Sequence, residues 1–439
     1  MTERNRIAML YLIMAGLLLA VGFLQSWTLA VTILNMCLIS AIMALGVNIQ
    51  WGYAGLFNAG IVGFAALGGL AAVLTSMPPV VGAWQAGGFG IGMAAISLVG
   101  TIGLIVLVRS QVRGVRGNLV AIVIAIIGYF VIRHFFEPAS AAIESFDAAR
   151  TGYLGGAGLP IILSWLVGGA FAAGAAWIVG RISLGLRADY LAIATLGIAE
   201  IIIAILRNEE WLTRGVKNVS GLPRPVPYEV QLQQAPWFLD LVSRLGANPI
   251  FAASLYVRLS YALLFAIVLV AIMWLAEKAL RAPWGRMMRA IRDNRDAAAA
   301  MGKDVTRRHL YAFVLGSAVV GMAGAMITTL DGQFTPGQYS PLRFTFLIWV
   351  MVIVGGSGNN WGSVLGGFLI WFVWIEAEPI GGWVMSTVTS YMDPTSPLRL
   401  RLIDAAPYMR PLTMGGILLL VLRFNPRGLI PETSMRAAR

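Results

Sequence analysis

The sequence predicts an all-α, polytopic helical membrane protein of about ten to twelve membrane segments, some of them broken or half helices. Three observations carry that expectation. Only 12% of the 439 residues are charged, while 58% are hydrophobic, and a soluble domain carries about twice that charge. Apolar runs of roughly 18 residues or more, enough to cross a bilayer, recur along the whole chain. The basic residues behind the net charge of +12 cluster in short loops between those runs. That distribution is a membrane-topology signal rather than a nucleic-acid surface.

Arg4 and Arg6 precede the first run, residues 7–24. A positive stretch before an apolar run also suits a signal peptide. No clear Ala-x-Ala site follows, however, and the run leads directly into Trp27, so it reads as a span. Runs at 29–49, 56–74 and 89–108 come next. The loop 109–116 carries Arg109, Arg113 and Arg116 and no acid, which assigns it to the cytoplasm under the positive-inside rule. A run at 119–136 reaches a mixed loop with Glu137, Glu144 and Asp147, and 159–179 returns to Arg181 and Arg187. The run 190–206 leads into a long polar segment, 207–254, read as an external loop.

After a run at 255–276 comes the cytoplasmic loop 281–309, then a run at 310–330. Two shorter runs, 344–354 and 364–375, are split by Gly355-Gly-Ser-Gly-Asn-Asn-Trp-Gly-Ser363 and have the length of half helices. A second external loop, 376–411, precedes the last run, 412–422, and a basic tail. With the N-terminus inside, every basic loop falls in the cytoplasm and every acidic or mixed loop outside, and the C-terminus is also inside. Residues 1–439 then form a single transmembrane domain.

Three stretches depart from plain membrane-spanning sequence. From 281 to 308 there are eight Lys or Arg against three Asp. Pro283 suits a first helical turn and Gly302 a C′ stop, which frames one helix over 283–301. Trp284, Met288, Ile291 and Ala298 fall on one side of it. Such a helix is either an interfacial anchor or a docking helix, offering an apolar ridge to a partner's groove and arginines to its acidic rim. The second stretch, 48–60, places Asn48, Gln50, Asn58 and three glycines between apolar runs. It is either a pore-lining element or a plain cytoplasmic turn. The third is Glu200, inside an apolar run, where a carboxylate costs at least a few kcal/mol unless paired or wetted. It either lines a path or pairs with an arginine, Arg207 being in reach along one face. Ser317, Gly321 and Ala325, spaced by four, form a small face suited to close helix packing.

Several classes are excluded. Cys37 is the only cysteine and His134 and His309 the only histidines, so no disulfide, cysteine-rich or histidine-based metal centre is available. There is no Gly-x-x-x-x-Gly-Lys-[Ser/Thr], no His-Glu-x-x-His and no Gly-x-Ser-x-Gly. This chain alone is not expected to be an enzyme.

Four blocks, spanning about 44–368, carry a family resemblance. They are Ala44-Leu-Gly-Val-Asn48 with Gly52-Tyr-Ala-Gly55; Leu186-Arg-Ala-Asp-Tyr-Leu-Ala-Ile-Ala-Thr-Leu-Gly197 with Ser220-Gly-Leu-Pro223; the loop 282–302 ending Ala297-Ala-Ala-Ala-Met-Gly302; and Ser340-Pro-Leu-Arg-Phe344 through Gly366. In these the chain resembles the permease subunits of branched-chain amino acid ABC importers, of the LivM type within the hydrophobic amino acid/amide uptake group. It departs at Ala59-Gly60-Ile61, where the family often has Leu-Gly-His, and at Thr213-Arg-Gly-Val-Lys-Asn218 in the external loop.

The resemblance implies a membrane subunit that moves a branched-chain or other hydrophobic amino acid, or a related small amide, across a bacterial inner membrane. It implies an unlike second permease subunit of the LivH type, two cytoplasmic ATP-binding subunits and a periplasmic or extracellular solute-binding protein. Lipid surrounds it, and it has no nucleic-acid partner. ATP and Mg belong to the partner subunits, and this chain needs no cofactor of its own. Coupling to the ATPase falls to Pro283, Trp284, Arg286, Met288, Arg289, Ile291, Arg292, Ala297, Ala298, Met301 and Gly302. The translocation path falls to Asn48, Gly52, Gly55, Asn58, Thr195 and Glu200. An ion-coupled secondary transporter of a small polar solute is the other open reading. It would show coupling carboxylates and repeated halves, of which only Glu200 is visible.

Overall fold

Backbone groups in a bilayer core must bond within their own segment, so apolar runs this long become helices. The computed structural model describes residues 3–112, 114–393 and 396–432. Arg113 of the 109–116 loop and the basic tail beyond 432 lie outside the described residues. The helices are α1 (Glu3–Leu24), α2 (Trp27–Asn48), α3 (Ile61–Ser76), α4 (Phe89–Gln111), α5 (Val115–Ser145), α6 (Ile161–Ser183), α7 (Ala188–Asn208), α8 (Pro249–Arg281), α9 (Pro283–Asp293), α10 (Arg295–Ala300), α11 (Val305–Asp331), α12 (Leu347–Gly355), α13 (Asn360–Val388), α14 (Pro397–Asp404) and α15 (Met409–Phe424). Short helical turns fill part of the 209–248 segment.

Nine helical stretches among the described residues are long and apolar enough to cross a bilayer. Two further pieces, Pro397–Asp404 and Ala406–Phe424, meet at 43° and form either a bent tenth span or a re-entrant pair, and Ile61–Ser76 and Leu342–Gly355 are shorter apolar helices. The protein is therefore a polytopic all-α membrane protein, with the mixture of full and partial segments that the sequence predicted.

The bundle is organised on α2 and α11. α2 packs against α1, α8, α11, α12 and α13, while α11 packs against α3 and α6 as well. Close approach depends on small residues. A Cβ on Gly68 of α3 would collide with the Gly321 carbonyl, and one on Gly321 would come within 2.5 Å of the Gly168 carbonyl oxygen of α6. The stripe Ser317, Gly321 and Ala325 is buried in this contact, as the spacing predicted. Burial is uneven: 89% of the apolar window of Trp27–Tyr53 is covered, against 6% for Val81–Gln111 and 11% for Val115–Ser145. α4 and α5 thus stand out from the bundle, packed mainly on each other. Two-residue strands, Val219–Ser220 and Gln333–Phe334, tie the 209–248 segment antiparallel to the turn after α11.

Three expectations need correction. The run 364–375 is no half helix but lies largely in the first half of the 29-residue α13. Residues 376–388 of the expected external loop continue that helix through Pro379. The helix expected over 283–301 is two helices, because Asn294 leaves the helical region and accepts a hydrogen bond from the Ala297 amide as the N-cap of α10. An asparagine cap satisfies one of the free amides at a helix start, so it favours a new beginning over continuation.

Candidate functional site

The polar break after α2 is where six helices converge. α2 ends at Asn48, and the chain makes a widened π-helical turn, Ile49–Tyr53, before an irregular stretch to Gly60. Asn48 is fully buried. Its Nδ2 donates to Asn360 Oδ1 of α13 (3.1 Å) and to the Tyr53 hydroxyl oxygen (3.2 Å), and its Oδ1 accepts from the Gly358 amide (2.8 Å). The Tyr53 hydroxyl donates to Asn360 Oδ1 at 2.7 Å, and Asn360 Nδ2 donates to Glu277 Oε1 of α8 at 3.1 Å. Gln50 donates to the Phe313 carbonyl (3.0 Å) and to Ser317 Oγ (2.9 Å) of α11, and accepts from Asn58 (2.9 Å). Trp349 of α12 donates to the Asn58 carbonyl at 3.0 Å, and Thr195 of α7 accepts from the Ala59 amide at 3.1 Å. In a low-dielectric interior such a network holds only when its members are satisfied.

Gly52 is required by this geometry. A Cβ there would collide with the Asn48 carboxamide and come within 2.5 Å of the Gly358 amide nitrogen. Gly55 turns the chain at φ +69°. The break is thus neither a plain turn nor a set of free groups along a channel. It is a knot in which Asn48, Asn58 and Thr195 have spent their hydrogen bonds internally.

The basic loop sits on this knot. Met288 and Ile291 of α9 are buried and Trp284 is half-buried in the same core. The apolar ridge therefore faces inward and anchors α9 to its own protein, where the sequence reading offered it to a partner. Arg292 donates from its guanidinium to the Gly52 carbonyl and to Glu432 Oε2 at 2.9 Å, with Asp293 Oδ1 at 3.1 Å. Partial burial opposes its charge, but Glu432 and Asp293 outweigh that and hold its pKa above the usual arginine value. Arg289 donates to the Leu280 carbonyl (3.2 Å) and Arg286 to the Arg281 carbonyl (3.3 Å). A polar cleft of about 310 Å³ opens beside them, lined in part by Tyr53, Glu277, Arg289, Asn360 and Glu432.

α10 turns outward. Ala297 is exposed, Ala298 is half-buried against the core, and Met301 is 79% exposed. Gly302 ends the helix at φ +76°, as expected from sequence. The Gly302 amide donates to the Ala299 carbonyl (2.9 Å) and the Lys303 amide to the Ala298 carbonyl (3.2 Å), which is the paired bonding of a Schellman stop.

Glu200 stands apart from both. It is exposed on α7, and no ion pair links it to Arg207, so the expected pairing along the helix is absent among the described residues. Sequence reasoning missed Glu277 and Glu432 altogether. Tyr53 and Asn360 lay inside quoted blocks and were not assigned roles. No signal in the chain points to Glu432, which meets Arg292 only through folding. Among the described residues no cluster of metal-ligating side chains occurs.

Residues 139–422 match the family model described as the branched-chain amino acid transport system / permease component. The chain belongs to this permease family. It is 27% identical over 272 residues to the high-affinity branched-chain amino acid transport system permease protein LivM of Salmonella typhimurium, covering 60% of this chain and 56% of the relative. The LivM protein of Escherichia coli is likewise 27% identical over 272 residues, at 61% and 56% coverage. A probable branched-chain amino acid transport permease protein LivM of Methanocaldococcus jannaschii is 27% identical over 344 residues, covering 78% of this chain and 85% of that one. The chain thus spans little more than half the length of the two bacterial relatives. No solved structure matches it significantly. The family match takes in the basic loop, the α7 face and Asn360, while Asn48–Asn58 of the permease lies before it.

Proposed function

We propose that this permease is the membrane subunit of an ATP-driven importer that carries a branched-chain or other hydrophobic amino acid, or a related small amide, into the cytoplasm. The observation that carries the reading is the build of the 281–309 loop. An amphipathic helix, α9, is fixed to the bundle by Met288 and Ile291 and tied through Arg292 to the turn that follows α2, leaving α10 and its Gly302 stop on the outside. A push on α10 reaches the core through α9 and the Gly52 carbonyl, which suits an element coupled to separate ATPase subunits. The docking surface is then Arg286, Ala297, Met301 and Gly302, while Trp284, Met288 and Ile291 fix the helix from behind. ATP and Mg belong to those subunits. A second permease chain, unlike this one, and a solute-binding protein outside the cell complete the assembly in a bacterial inner membrane, with both termini of this chain cytoplasmic.

The test is uptake by proteoliposomes holding the complex. Uptake of a branched-chain amino acid is expected to need ATP and the ATPase subunits and to ignore an imposed ion gradient. Uptake driven by a proton or sodium gradient without ATP would replace this reading with the secondary transporter.

A further inference from the structure

The outer face of α7 differs from the polar knot after α2. Its inner side, with Leu191, Thr195, Ala199 and Ile203, is buried, largely against α3. On the other side Ile193, Gly197, Glu200, Ala204 and Arg207 are all exposed. Successive members are four, three, four and three residues apart, the spacing of a seam shared by two packed helices. Two of the five are small, and nothing stands within 4 Å of a Cβ built on Gly197, so another backbone has room to come close. Glu200 lies at the centre of the seam, about 18 Å along the helix from Ala188 at 1.5 Å per residue. It has no hydrogen bond or ion pair with a described residue. A carboxylate at that depth against hydrocarbon is strongly disfavoured unless something pairs with it.

We propose, resting on the permease reading above, that one membrane helix of an unlike second permease subunit packs in this seam and brings a lysine or arginine to Glu200. Lipid alone would leave the carboxylate without a donor. A second copy of this chain fits worse: both copies share one orientation in the membrane, so a two-fold contact through α7 sets Glu200 against Glu200, and like charges at low dielectric repel. The small residues on either side of Glu200 bring the partner's backbone near enough for a charged head to reach it.

The experiment places the photo-crosslinking residue benzoylphenylalanine at Ile193 or Ala204 of the full chain, in membranes that also contain its co-expressed subunits. Ile126, on the exposed side of α5, is the control outside the seam. Adducts at Ile193 and Ala204 but not at Ile126 are expected with one different, multi-spanning polypeptide, and the crosslinked peptide should carry Lys or Arg within one helical turn. Glu200→Lys should cut the Ala204 adduct about tenfold, since like charges across an interface repel, and changing the partner's cation to Glu should restore it. Glu200→Gln, which keeps shape and removes charge, should give an intermediate yield. Adducts with lipid only, adducts with a second copy, a partner helix without a cation, or an undiminished Glu200→Lys adduct would each overturn the proposal. An Ala204 adduct undiminished by Glu200→Gln while uptake is lost would also overturn it, since the carboxylate would then serve the cargo. ATP dependence is read in parallel, so failure of the permease reading is told apart from failure of the seam.

Discussion

The break at 48–60 and the outer face of α7 both place polar side chains within the membrane bundle, and they treat them in opposite ways. At the break, Asn48, Gln50, Asn58, Tyr53 and Asn360 bond one another or nearby backbone, and all five are nearly inaccessible. On α7, Glu200 is exposed and has no partner among the described residues. A buried polar group without a partner costs roughly 1–3 kcal/mol, so the knot's satisfaction is what permits irregular backbone there. The α7 face instead leaves a carboxylate at membrane depth without a partner among the described residues. One region is complete in the single subunit, and the other, on the proposal above, is completed by a second one.

The strongest way to break this comparison is Gly52→Val. The added side chain has no room beside Asn48 and Gly358, so the knot must open, at a cost of about 3 kcal/mol or more. Loss of the monodisperse folded species on size exclusion in detergent is expected. A wild-type profile and melting midpoint would mean that the break does not depend on this packing.

Asn360→Leu is the next largest. It removes partners from Asn48, Tyr53 and Glu277 at once, for an expected loss of about 2–3 kcal/mol. In a Tyr53→Phe background the same change should cost less, because one of the stranded donors is gone. Equal costs in both backgrounds would show that the network is not coupled.

Gly302→Val lies between the two regions in character. Nothing crowds the site, so only the left-handed backbone is penalised, by about 1 kcal/mol. The chain should fold, while ligand-stimulated ATPase activity and uptake of the reconstituted complex should fall. Full stimulation and full uptake would make the loop an interfacial anchor and nothing more.

Glu200→Gln should change the stability of the isolated chain least, within about 0.5 kcal/mol, because no described residue pairs with it. A melting midpoint that falls as far as that of Asn360→Leu would show an internal partner and dissolve the contrast.

Much of the architecture was legible because its signals are local. The placement of the apolar runs, the inward small face of α11 and the Gly302 stop each depend on residues within a few turns of one another. The apolar side of α9 was also legible as a stripe, but a stripe does not say what covers it. Met288 and Ile291 turned out to face their own core. The break at Asn294 had a local cause as well, an asparagine cap hidden in a run otherwise favourable to helix.

The sequence by itself determined the membrane class, the order of the apolar segments and the basic character of one loop, since hydrophobic length and charge placement act residue by residue. Tertiary structure alone decided which polar residues are satisfied. Asn48 meets Asn360, Gln50 meets Ser317, and Arg292 meets Glu432, partners separated by 140 to 312 positions along the numbering. No periodicity links residues so far apart. Hydrogen bonds act over about 3 Å, and only the packing of helices around α2 brings these groups within that range while leaving Glu200 outside it.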